Sequence, residues 1–147
     1  MKTLWDPAAQ DELTARIDRL TPQSLARWGR MTCAQMVVHL TDAFALYMGE
    51  LRAAGKRTPL QYAPFKHAFV YVIPIPKNVP TAPELMVRLP SDWDDEIARL
   101  HRALASFAGQ RTRREWPAHP IFGRLSCRAY GVLAYKHTDH HLRQFGV

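Results

Sequence analysis

The chain has 147 residues, 47% hydrophobic and 22% charged, with 20 basic against 13 acidic side chains and a formal net charge of +7. This length suits a single domain spanning residues 1–147 with one core, and the composition is that of a globular protein, which excludes a disordered or fibrous chain. No apolar run approaches the roughly 20 residues a bilayer-crossing helix requires, and none follows Met1–Pro7 as a secretory leader would, so a cytoplasmic location is expected.

Four helical segments are readable in chain order. The first opens at Asp6-Pro7, an N-cap followed by proline at the first helical position. Ala9, Leu13, Ile17 and Leu20 recur at helical spacing, and Thr21-Pro22 is the expected stop. The second begins at Thr32, where Thr32-Cys33-Ala34-Gln35 matches a capping box. Met36 to Met48 is apolar nearly all round, the mark of a helix buried on most sides, and Gly49 or Gly55 can end it. The third starts at Ser91 or Asp92, with Trp93, Ile97, Leu100, Leu104 and Phe107 as its stripe. Asp94, Asp95 and Glu96 place negative charge where a helix N-terminus favours it, and Gly109 closes it. The fourth is capped by Ser126 and runs to about Phe145, with Tyr130, Leu133, Ala134, His137, His141, Gln144 and Phe145 on one face.

Between the second and third helices the chain holds seven prolines from Pro59 to Pro90. A lone strand there would lack a partner, so Leu60–Val72 is expected to contain a short helix. Pro74–Pro90 is expected to be a proline-stiffened loop that covers part of the surface. Four helices without strand pairing predict an all-α, antiparallel four-helix bundle, and the long connection between the second and third helices permits a crossover.

The basic excess lies in two stretches: Arg52, Lys56, Arg57 and Lys66, then Arg111, Arg113, Arg114, Arg124 and Arg128. Such stretches attract nucleic-acid phosphates or a small anionic substrate, or simply line solvated loops. No RNP-like, zinc-finger or basic-zipper pattern supports nucleic acid. Cys33 and Cys127 are too few for a disulfide framework and read as buried, inert thiols.

The segment His137-Thr138-Asp139-His140-His141-Leu142-Arg143-Gln144 carries the most chemistry. Residues four apart stack on one helical face, so His137 and His141 can share a metal ion. His39 lies among apolar residues on the second helix, and a buried imidazole needs a partner. The three make a candidate ligand set. Neutral imidazole suits zinc, nickel and iron, and three protein ligands leave a position for water or substrate. Asp42, three residues after His39, can orient an imidazole, ligate weakly or carry a proton. His140 can carry a proton, or replace His141 as ligand. The alternative is a buried His141 hydrogen-bonded within the core. No glutamate follows the first histidine, so the pattern is not that of an HExxH protease. His67, His101 and His119 read as surface or loop histidines.

Three stretches together resemble the DinB/YfiT-like superfamily of metal-dependent hydrolases and transferases. Thr32–Leu40 resembles the start of that family's second helix, with a first ligand at His39. His137–Phe145 resembles the fourth-helix signature, with ligands at His137 and His141. Pro120–Ser126 is similar to the loop before that helix in a branch of unassigned function. The resemblance implies a four-helix bundle with a crossover connection and a three-histidine metal site. It also implies a low-molecular-weight thiol such as bacillithiol or mycothiol as one substrate class. The chain departs from the family's Arg-Gly-Gln after the last histidine, having Leu142-Arg143-Gln144, so substrate contacts are expected to differ there.

The function expected is that of a metal-dependent enzyme, a thiol S-transferase or a hydrolase, acting on a small molecule. The rival is a non-catalytic metal- or ligand-binding bundle. An exposed apolar segment around Phe69–Ile75 suits a homodimer contact.

Overall fold

Local chemistry sets the helix boundaries. The computed structural model describes residues 1–55, 57–79 and 83–147, so Lys56 of the first basic stretch and Pro80 of the connection lie outside the described residues. Helix α1 spans Pro7–Ile17, with the Asp6 carboxylate accepting from the Ala8 amide at 3.1 Å. It stops four residues before Thr21, because Arg19 and Leu20 close tighter turns onto the Arg16 and Ile17 carbonyls. Helix α2 spans Cys33–Met48 and begins with both arms of the capping box: Gln35 N donates to Thr32 Oγ1 and Thr32 N to Gln35 Oε1. Such a cap is worth about 1 kcal/mol. Gly49, at φ +85°, supplies the left-handed residue that ends it.

The connection contains the expected short helix. After a 3₁₀ turn at Pro59–Gln61, helix α3 (Phe65–His67) runs on into a π turn at Ala68–Val72. The turn is pinned from outside: the Lys136 ammonium donates to the carbonyls of Phe69, Val70 and Ile73 at 2.7, 3.1 and 2.8 Å. Val70 is buried there against Ala129 and Val132. A 3₁₀ turn at Pro83–Met86 then buries Leu85.

Helix α4 spans Trp93–Ala108 and is capped by Asp92. Helix α5 spans Cys127–Gln144, with Ser126 Oγ accepting from Ala129 N. Among the described residues there are five α-helices and no β-strand. Among those residues no helix is long and apolar enough to cross a membrane. Helix α2 packs most extensively on α4, and α1 lies against α4 and α5. One hydrophobic core joins the four long helices, with Leu13 and Ile17, Met36 and Phe44, Leu100 and Phe107, and Tyr130 and Leu142 at its centre.

Glu96, one of the three acids that favour the start of α4, does more than that: it is 1% exposed. It is held by Arg88, whose Nη1 donates to its two oxygens at 2.8 and 2.7 Å, and by Ser91 Oγ at 2.7 Å. His119 is buried rather than superficial, in a tight bridge to Gly123 where its Nδ1 accepts from the amides of Ile121 and Phe122. Burial pushes its pKa down to about 4. Both cysteines are free; Cys33 is buried as expected, its thiol raised to about 11, whereas Cys127 is only half-buried, its thiol also raised by desolvation.

Candidate metal centre

The apolar all-round character of α2 puts His39 inside, between Val38 and Leu40. On α5 the four-residue spacing sets His137 and His141 one above the other. The two helices meet so that the three rings converge edge to face, with centroids 4.8 to 5.0 Å apart. The Nε2 atom of His137 lies 3.2 Å from Nε2 of both His39 and His141. Three ligand nitrogens thus lie within 4.8 Å of one another. His39 and His141 are buried, and His137 is half-buried.

Protonation is strongly opposed here. Burial, and then the neighbouring imidazoles, hold His137 well below its ordinary value. Burial pushes His39 down to about 4, partly offset by the Leu85 backbone. Burial and then His39 take His141 to about 3. At neutral pH all three rings are uncharged, the state a metal ligand needs.

The surroundings also fix which nitrogen carries a proton. Gln144 Nε2 donates to the Trp28 carbonyl at 2.7 Å, so its Oε1 is the atom 2.8 Å from His141 Nδ1. An amide oxygen only accepts, so the proton sits on Nδ1 and the His141 Nε2 lone pair is bare, aimed at His137. Tyr47 Oη lies 3.0 Å from His137 Nδ1, and the buried Nδ1 of His39 makes no hydrogen bond of full geometry, although the Leu85 backbone acts on the ring. Converging lone pairs repel unless a cation or a shared proton lies between them. Imidazoles about 2.0–2.1 Å from a tetrahedral ion stand roughly 3.3–3.4 Å apart, close to the spacing found. The residues present therefore fit a divalent ion.

Gly29 makes this support possible. At φ +84° it lets the chain pass so close to Gln144 that a Cβ would lie 2.5 Å from Nε2. Replacing Gln144 with alanine removes the group that orients His141. Metal affinity is expected to fall about 10- to 100-fold, as for other outer-shell partners. Competition with a chromophoric chelator reads this directly, and an unchanged constant counts against Gln144 as an orienting group.

The other expected site residues fall elsewhere. Asp42 is not drawn into the cluster: its Oδ1 accepts from Arg88 Nε at 3.0 Å. His140 is half-buried beside the cluster, its ring 5.2 Å from that of His141 and 5.7 Å from that of Trp28. The departure at Leu142-Arg143 faces away from the imidazoles. Leu142 is fully buried in the core and Arg143 pairs with Asp139 at 3.0 Å, while Gln144 touches His141.

Tyr47 and Leu85 were not singled out from the sequence. Tyr47 stands eight residues after His39, about 80° round α2 and on the same broad face, and that period was the available signal. Nothing local announces Leu85, which reaches the site through the fold of the connection.

Several basic groups serve structure. Lys66 Nζ donates to the Arg124 carbonyl at 2.9 Å, Arg113 to those of Met48 and Glu115 at 2.9 and 2.7 Å, and Arg128 lies over the Tyr71 ring.

No curated protein and no solved structure matches the chain. The model of one family, described as the DinB superfamily, matches residues 7–145. With that match over nearly its whole length, and with the all-helical fold around the three histidines, the chain belongs to the DinB superfamily.

Proposed function

We propose that this chain is a metal-dependent enzyme, a transferase of the thiol S-transferase type or a hydrolase, with His39, His137 and His141 holding one divalent ion. The observation that carries the reading is the convergence of three Nε2 atoms, one of them held bare by the Gln144–Trp28 contact. Zinc, nickel and iron all suit three neutral imidazoles. Such an ion supplies Lewis acidity that lowers the pKa of a water or thiol beside it.

The chain's own residues do the remaining work. Tyr47 and Gln144 orient His137 and His141 from behind. His140 is the candidate proton acceptor: burial holds its pKa below the usual value, and it stands beside the cluster. Asp42, committed to Arg88, is left with a structural part.

One observation favours the rival reading of a non-catalytic metal-binding bundle: His39 and His141 are buried, and His137 is half-buried.

The two readings part under chelation. Purified, metal-loaded protein is assayed for thiol consumption against a panel of alkyl halides, epoxides and activated esters, with and without a chelator. The enzyme reading expects turnover that the chelator abolishes and the metal restores. A fall in Tm on chelation without turnover of any panel member supports the binding bundle instead.

A further inference from the structure

Three chain segments meet at the rim of the histidine cluster, beside His141. The Trp28-Gly29 bend is held there by the Gln144 contact to the Trp28 carbonyl. The turn at Lys77-Asn78, on the connection, comes down over it. Asn78 takes φ +60°, a left-handed conformation that asparagine tolerates better than most residues. Its Oδ1 comes to 4.0 Å from where a Gly29 Cβ would stand. The turn sets the Lys77 ammonium 4.4 Å from the centre of the Trp28 ring. The third segment is α5, which adds His140 between Trp28 and His141.

Charge at this rim is one-sided. Among the described residues Lys77 makes no ion pair, its ammonium resting on the indole face. The ring nitrogens of His140 have no hydrogen-bond partner among those residues either. The neighbouring acids are committed elsewhere: Asp139 pairs with Arg16 at 2.8 Å and with Arg143 at 3.0 Å, and Asp42 with Arg88 at 3.0 Å. A cation, an unpartnered imidazole and an aromatic wall therefore border the cluster; Asp139 acts on His140 through space, but its hydrogen bonds go to Arg16 and Arg143. Trp28 couples this rim to the cluster, since its carbonyl fixes Gln144, which in turn fixes His141.

We propose that Lys77, His140 and Trp28 form an anion subsite at the edge of the three-histidine site. The substrate class they select is a small molecule bearing a carboxylate near its reacting group. Lys77 attracts the carboxylate, a His140 ring N–H donates to it, and the Trp28 face covers the carbon chain behind it. The inference rests on the metal-site reading and specifies its substrate.

The test uses the full chain loaded with cobalt(II) and the thiol-to-cobalt absorption band as readout. Three probes of similar size differ only in charge: 3-mercaptopropionate, 2-mercaptoethanol and cysteamine. The carboxylated thiol is expected to bind about three- to tenfold tighter than the neutral one, the scale of one solvent-exposed charge contact, with cysteamine weakest. The ratio of the first two affinities is expected to fall towards one in Lys77→Gln, and in the wild type as salt rises. Equal affinities in the wild type, absence of thiol binding, or a preference that survives both Lys77→Gln and His140→Ala overturns the subsite alone. Failure of cobalt to load overturns the metal-site reading and the subsite with it.

Discussion

Replacing His137 with alanine is expected to abolish stoichiometric metal binding while leaving the metal-free fold in place. His137 Nε2 is the common neighbour of the other two, 3.2 Å from each, so its removal leaves a pair rather than a set of three. A loss of two orders of magnitude or more in affinity is the expected scale. At a metal concentration 100 times the wild-type Kd, binding stabilises the fold by about 2.7 kcal/mol, and the variant loses nearly all of this. In the metal-free state the substitution removes a half-buried ring whose lone pair faces two others. Chelated wild type and chelated variant should therefore melt within a few degrees of each other. Melting curves with and without metal separate the two effects. A variant that still gains the full shift from metal places the ion elsewhere.

The depressed pKa values add a pH signature to the same measurement. Metal competes with protons only where the free ligands are protonated. His39, at about 4, and His141, at about 3, are uncharged across the neutral range. Affinity should stay nearly flat from pH 8 to about 5 and fall below that, whereas exposed histidines would lose affinity from about 6.5 downward.

The second large effect is structural. Arg88→Met should destabilise the protein by about 3 kcal/mol, the lower end of the cost of breaking a buried ion pair from one side, because Arg88 is itself 30% exposed. For a domain of this size that is a Tm drop of roughly 10 °C. The reason is Glu96: it is 1% exposed and keeps its charge because Arg88 and Ser91 hold it. Burial works to raise its pKa, but the hydrogen bonds from Arg88 and Ser91 outweigh it and leave the carboxyl below the ordinary value. Its contribution to stability is therefore present above the unfolded-state value and is lost as pH falls through the lower folded one. In the variant the acid-side loss begins at higher pH. Glu96→Gln, added to Arg88→Met, removes the stranded charge and should recover part of the loss. If the single variant melts within 2 °C of wild type, Arg88 is not the clamp described.

The helices that carry the site were legible because their signals are local. Thr32 and Gln35 form a capping box that fixes where α2 begins, and Tyr130, Leu133, Ala134, His137 and His141 repeat at the helical period. From these two facts His39, His137 and His141 can be aligned as one group, and the structure brings them together. What escaped depends on the path of the connection. Leu85 against His39, Arg88 between Asp42 and Glu96, and Lys77 over Trp28 are contacts between residues 8 to 49 positions apart, made by a segment whose prolines give no period to read. Glu96 shows why local logic misleads: an acid in the first turn of α4 satisfies the helix-dipole rule whether it faces water or an arginine. Asp42 shows the opposite case. Its spacing from His39 suits a supporting carboxylate, but an arginine that only the tertiary fold delivers holds it first.

The most direct test of the three-histidine metal site is anomalous diffraction from crystals of the untagged protein, with data at the zinc, nickel and iron edges. A single strong peak bonded to the Nε2 atoms of His39, His137 and His141 is expected, with Gln144 Oε1 still on His141 Nδ1. Crystals grown with metal that keep the three rings in place, yet show no peak between them at any edge, would contradict it.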